Sequence, residues 1–172
     1  QVLNNKKWII LWMKKTGILS ITFLVSVFIL IAACSKESNE NVETIQTYLE
    51  QEFTGPNDEL INALEQEGAY PPELEAYIEE NYKPLVSNLE QFINENMTLI
   101  FLKAAFENGY HLETTNIDIQ KIDDTEEEAY NFEVEVEYHN DDQTNAATVT
   151  GIMNINDNGK ISMIRNMDDG EL

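Results

Sequence analysis

The chain has 172 residues, 32 Asp and Glu against 10 Lys and Arg, and a formal net charge of −22. So acidic a chain repels phosphate backbones and anionic head groups, which excludes nucleic-acid binding and flat docking on an anionic bilayer. Its one cysteine, Cys34, excludes a disulfide framework within the chain.

Residues 1–12, QVLNNKKWIILW, belong to no fold and read as an upstream extension, because Met13 opens a complete export signal by itself. Lys14 and Lys15 form a short positive region, Gly17 to Ala33 is apolar, and two small residues precede Cys34. The stretch Ile31-Ala32-Ala33-Cys34 resembles a bacterial lipobox. Small side chains admit the backbone to a peptidase, and the thiol forms a thioether with diacylglycerol. The expected layout is therefore a signal peptide over 13–33 and a lipidated Cys34 at the start of the mature chain. Two or more acyl chains anchor stably where one is marginal, so the membrane is the expected partner, through lipid. The competing reading is an uncleaved transmembrane helix. Seventeen apolar residues lie at the lower limit for spanning, but the run stops at small-small-Cys and no basic stop-transfer residues follow. Either way the remaining chain lies outside the membrane.

A mature chain from Cys34 has 139 residues, enough for one domain with a proper core. All 32 acidic residues and six of the basic ones follow Cys34, so its charge is 6 − 32 = −26. With Cys34 lipidated no thiol is left for a nucleophile or a metal.

Residues 34–41 carry the lipidated cysteine and a short polar tether, and 42–172 form a single domain. Val42, Ile45, Tyr48, Leu49 and Phe53 follow the 3, 4 spacing of one helix face, and Thr54-Gly55-Pro56 stops that helix. Asn57 caps a second helix with Asp58 and Glu59 in its first turn, ended by Gly68. Pro71 and Pro72 open a third, carrying Leu74, Tyr77 and Ile78. Pro84 breaks the pattern. Ser87-Asn88-Leu89-Glu90 reads as a capping box with Ser87 as the cap, opening a fourth helix through Phe92 and Ile93. Met97 to Phe106 is apolar nearly all round and is expected to be a buried helix, with a strand as the alternative.

After Gly109 the period becomes two. Tyr110, Leu112 and Thr114 alternate, then Ile117 and Ile119, and the slip between the two sets predicts a bulge. In YNFEVEVEYH, Tyr130, Phe132, Val134, Val136 and Tyr138 face the core, and Glu133, Glu135, Glu137 and His139 face water. Ala147, Val149, Gly151, Met153 and Ile155 alternate in a third strand. Asn156-Asp157-Asn158-Gly159 is a hairpin turn, and a fourth strand over Lys160–Arg165 leaves a frayed acidic end. Helices followed by an antiparallel meander make an α+β fold, with N-terminal helices packed on one face of a bent sheet of about four strands.

That order resembles the cone-shaped nuclear-transport-factor-like fold, related to the cystatin-like group. More narrowly, QEFTGPNDELI, NYKP, NGYHL, INDNGKI and the Arg165…Asp168-Asp169-Gly170 ending resemble small lipoproteins of Bacillus-type bacteria that have no assigned activity. The resemblance covers most of the mature chain. Its motifs are turn and core residues, so it implies fold and address and transfers no catalytic residue.

NINDNGKISMIR imitates a calcium-binding EF-hand loop through Asn154, Asn156, Asn158 and Gly159, but its twelfth position is Arg165 and its flanks read as strands. His139 lies near Asp141 and Asp142, yet an exposed strand-end histidine is expected in preference to a metal cluster, and His111 likewise. No Ser-His-Asp spacing, H-E-x-x-H or phosphate loop is present, so no catalytic residue, metal or cofactor is expected. Tyr130, Phe132 and Tyr138, with Tyr110 beside them, could line a pocket between helices and sheet. A filled core is the simpler reading of the same stripe.

The sequence thus points first to a non-enzymatic lipoprotein, a binding or accessory domain for a small ligand or another envelope protein. A small pocket enzyme on a cone-shaped fold and a weak cation-binding surface are the alternatives. An acid or histidine aimed into the pocket would favour the enzyme, and the inward strand positions supply none.

Overall fold

The computed structural model describes residues 39–95, 97–123, 125 and 127–172. The extension, the apolar stretch and Cys34 lie outside the described residues. The chain divides into a unit of residues 1–39 and a unit of residues 40–172, and the second carries the fold described below.

Among the described residues, five helices precede a four-stranded antiparallel sheet. The described part of α1 covers 39–53. It is followed by α2 (Asp58–Leu64), α3 (Pro72–Tyr82), α4 (Leu89–Asn94) and α5 (Ile100–Asn108). The strands are β1 (His111–Ile122), β2 (Glu128–His139), β3 (Thr144–Ile155) and β4 (Ile161–Asp168), paired in the order β1-β2-β3-β4. This is the α+β meander that the change of period predicts.

The local signals act where their chemistry is sound. The Asn57 side chain accepts from the Leu60 amide at 2.9 Å and caps α2. Pro72 is the first residue of α3, where its missing N–H costs nothing. The register of β1 against β2 shifts between Thr114 and Asn116, where the slip in alternation falls. The Asn156 side chain accepts from the Asn158 and Lys160 amides, and Gly159 takes φ +71°, which closes the β3–β4 hairpin.

Other boundaries differ. Residues 39–41, assigned by sequence to the tether, are helical, and Asn41 is buried. Its side-chain amide donates to Glu128 and, at 3.4 Å, to the Tyr130 hydroxyl, so α1 is tied to β2 at its first described turn. Helix α2 ends at Leu64 instead of Gly68. The α4 cap is Asn88, not Ser87. Asn88 is extended and its side chain accepts from the Gln91 amide at 3.2 Å. Ser87 is held elsewhere, its amide donating to the Ile161 carbonyl at 2.9 Å. The apolar run from Met97 is a helix, but one that starts at Ile100 after Leu99 turns through φ +61°. Strand β4 runs past Arg165 to Asp168, which pairs with Thr150 across a register shift.

The helices and the sheet share one core. Ile45, Leu49, Leu60, Ile78, Phe92 and Leu102 of the helices pack with Leu112, Tyr130, Val134, Val136, Val149 and Met153 of the strands. The opposite face of the sheet is wet and acidic, with Glu113 opposite Glu137 and Asp118 opposite Glu133. Two loops cover part of the sheet edges, which otherwise present unpaired backbone. Gly55 exchanges backbone hydrogen bonds with Leu112 on β1 at 3.0 and 2.7 Å, at φ +132°, which only glycine adopts readily. Val86 bridges to Ile161 at the start of β4.

The register makes neighbouring residues on β2 opposites in tolerance. Val134 is wholly buried, whereas Glu135 is exposed between Glu133 and Glu137. Val134→Asp buries an unpaired carboxylate and is expected to cost several kcal/mol, enough to unfold a marginal domain. Glu135→Lys is expected to lie within about half a kcal/mol of wild type, on the stabilising side. Thermal melts of the two variants check this, and equal tolerance would reverse the assigned faces.

Candidate functional site

The aromatic stripe singled out by sequence is split by the structure. Tyr130 and Phe132 lie in the core, and the Phe132 ring closes over Gly151, where an added Cβ would sit 2.7 Å from two ring carbons. The cavity beside Phe132, bounded also by Tyr48, Glu52 and Met153, holds about 10 Å³, room for about one water molecule. Tyr110 and Tyr138 meet instead at the rim, edge to face, with ring centres 5.7 Å apart. His139, expected as an exposed strand-end residue, is half-buried with its Nδ1 withdrawn from solvent. It is the cross-strand partner of His111.

The polar group inside the core is one that the strand pattern does not reveal. Glu52 of α1 is 2% exposed. It occupies the helix face of Ile45, Tyr48 and Leu49, seven, four and three residues before it, and that phase was the signal that could have found it. One carboxyl oxygen, Oε2, accepts from the Tyr82 hydroxyl at 2.9 Å and from the Leu99 amide at 2.8 Å. The other, Oε1, is buried without a hydrogen-bond partner. Leu99 is the N-cap residue of α5 and its side chain makes no cap hydrogen bond. Glu52 receives the Leu99 amide from another helix, the role that a Glu at the third helical position plays in a capping box. Tyr48, one turn earlier on α1, donates its hydroxyl to the Met97 carbonyl.

Burial pushes the Glu52 carboxyl up from 4.5 to about 7, against the opposing pull of the Leu99 amide, the Tyr82 hydroxyl and the amides of Phe101 and Ile100. Burial also raises the Tyr48 and Tyr82 hydroxyls, and the charge of Glu52 adds to both. Lys103, whose ammonium lies 5.0 Å from the Tyr70 ring centre, is lowered by burial and drawn back by the charges of Glu52 and Glu107. Chemically this is a carboxyl that exchanges its proton near neutral pH, sealed among aromatic rings.

The larger clefts open on the surface. One of about 700 Å³ runs between α1 and the β1 bulge and is lined by amides and hydroxyls, among them Gln51, Thr54, Asn57, Tyr77, Asn81 and Thr115. Another, of about 600 Å³, holds His111 and His139. Among the described residues no three His, Cys, Asp or Glu are gathered tightly enough to hold a metal ion as they stand.

No protein-family model matches the chain, and none of the curated proteins does. Among solved structures it is similar to the NMR solution structure of a proposed transfer protein, TraH, from the Gram-positive conjugative plasmid pIP501. The TM-score is 0.51 at 12% identity, over 78% of this chain and 96% of that one. At that identity the likeness is one of fold.

Because the folded state holds the Glu52 proton more tightly than the unfolded chain, its contribution to stability is full below about pH 4.5 and is lost as pH rises through about 7. The move from 4.5 to about 7 corresponds to roughly 3 kcal/mol. Glu52→Gln keeps an acceptor for Tyr82 and Leu99 and cannot ionise. Melts of both proteins between about pH 5 and 8.5 are expected to show wild type losing stability relative to the variant as pH rises. A difference that stays flat with pH would mean that Glu52 titrates like an exposed carboxyl.

Proposed function

We propose that this chain is an extracytoplasmic lipoprotein, held to the cell membrane through lipid on Cys34, whose folded domain is a binding or accessory module with no reaction of its own. The observation that carries this reading is the order Lys14-Lys15, an uncharged apolar run, and Ile31-Ala32-Ala33-Cys34. The folded unit adds one supporting fact: residues from 40 onward bury a core of their own. The resemblance to Bacillus-type lipoproteins and to the cone-shaped fold points the same way, and the neighbour's description as a transfer protein is compatible with an accessory role.

The alternative of a small pocket enzyme gains one feature, the raised carboxyl of Glu52. The same geometry weakens it. The space beside that carboxyl is about 10 Å³, too small for a substrate, and both hydrogen bonds to its Oε2 are the structural ties of Tyr82 and Leu99.

The anchor has a direct test. The mature protein is expected to begin at a diacylglyceryl-modified Cys34 and to partition with membranes. Cys34→Ser is expected to leave the signal uncleaved and unlipidated. Mass spectrometry of the amino terminus decides it, and an intact, unmodified Met13–Cys34 segment in the membrane-bound wild type would overturn the reading.

A further inference from the structure

The two histidines of this chain stand 28 positions apart in sequence and face each other in the fold. His111 opens β1, His139 closes β2, and the two are direct cross-strand partners. Antiparallel partners hold their Cβ atoms about 5 Å apart, so the imidazoles must meet. Their ring centres are 5.4 Å apart and their planes cross at 59°. Nδ1 of His139 is buried and makes no hydrogen bond. A ring nitrogen withdrawn from water with nothing to bind is uncommon and calls for a physical account.

The surroundings supply one. The same cleft of about 600 Å³ takes in Asp141 and Asp142 from the turn that follows β2. The turn is fixed by the Asn140 side chain, which accepts from the Asp142 and Gln143 amides at 3.0 Å each. The carboxylates of both aspartates are exposed, and exposed side chains change rotamer in picoseconds to nanoseconds. Two neutral imidazoles with one or two carboxylates are the donor set of zinc, nickel and copper, whereas calcium and magnesium take oxygen alone. Two imidazoles bound tetrahedrally to one ion at the usual zinc–nitrogen distance have ring centres about 5.2 Å apart. The observed 5.4 Å is close to that separation, so the two strands already hold the rings at the spacing one ion requires, and binding needs only rotation of the rings to bring a nitrogen of each onto it. The strongly acidic chain also concentrates divalent cations at its surface.

We propose that His111 and His139, completed by a carboxylate of Asp141 or Asp142 swung in from the turn, form a surface site for a divalent transition-metal ion of the zinc, nickel or copper class. Among the described residues no three such groups stand together as they are, so the site requires the third ligand to be recruited on binding. This site is independent of how the chain is anchored.

The test is titration of the full chain, untagged and in detergent, with zinc chloride at pH 7.5, every protein carrying Cys34→Ser so that no thiol competes. One equivalent is expected to bind, and His111→Ala and His139→Ala are each expected to weaken it by about tenfold or more. Paired Asp141→Asn and Asp142→Asn substitutions are expected to weaken it less than either histidine change. Calcium should not compete. Zinc affinity unchanged in both histidine variants would overturn the proposal, because the acidic surface alone would then account for binding. So would the absence of any saturable binding. Paramagnetic resonance of the copper-loaded protein reads the site without relying on the variants. Two coordinated nitrogens support it, and an all-oxygen signal refutes it.

Discussion

One carboxyl ties the helical layer together. Glu52 projects from α1, receives a hydroxyl from α3 through Tyr82, and receives the amide of Leu99 at the start of α5. Helix α5 begins after an apolar residue that makes no side-chain cap, and the amide of that residue is received by Glu52 from another helix. An apolar residue at position 52 would fill the same space and leave the Leu99 amide and the Tyr82 hydroxyl without that partner, and unsatisfied buried donors are costly. The acid therefore specifies which helix meets which, at the expense of a proton equilibrium set near neutral pH. Tyr48 extends the tie by holding the Met97 carbonyl ahead of the same helix.

The sheet is organised by a different rule. Each of its strands puts one face on the core and one in water, so a slip of one residue would exchange Val134 for Glu135. The bulge between Thr114 and Asn116 absorbs the one place where the β1 pattern changes phase. The Phe132 ring against Gly151 shows how closely the core is packed at the stripe that the sequence offered as a pocket lining. With that space filled, the larger clefts lie on the outside: the amide- and hydroxyl-lined one beside β1, and the one that holds the histidine pair at the far end of the β1–β2 hairpin.

Element type and order, the inward and outward faces of β2, the bulge, the Asn57 cap and the Asn156–Gly159 hairpin turn were all legible in the sequence by itself. Each depends on side-chain spacing or on one residue bonding its own backbone within a few positions, and such interactions survive whatever the rest of the chain does. Boundaries were less legible where a distant strand competes. Ser87 has the right chemistry for a cap, but its amide is taken by Ile161. Strand β4 continues past Arg165 because Thr150 offers a partner to Asp168. What only the tertiary structure decided is which separated groups meet. Glu52 lies in phase with the core face of α1, yet nothing nearby in sequence says that Tyr82 and Leu99 will receive it. His111 and His139 become partners only because β1 and β2 are equally long and fold back with their outer ends aligned. Periodicity records how a segment turns its side chains. The meeting of distant groups depends on how whole elements pack, and no local pattern carries that.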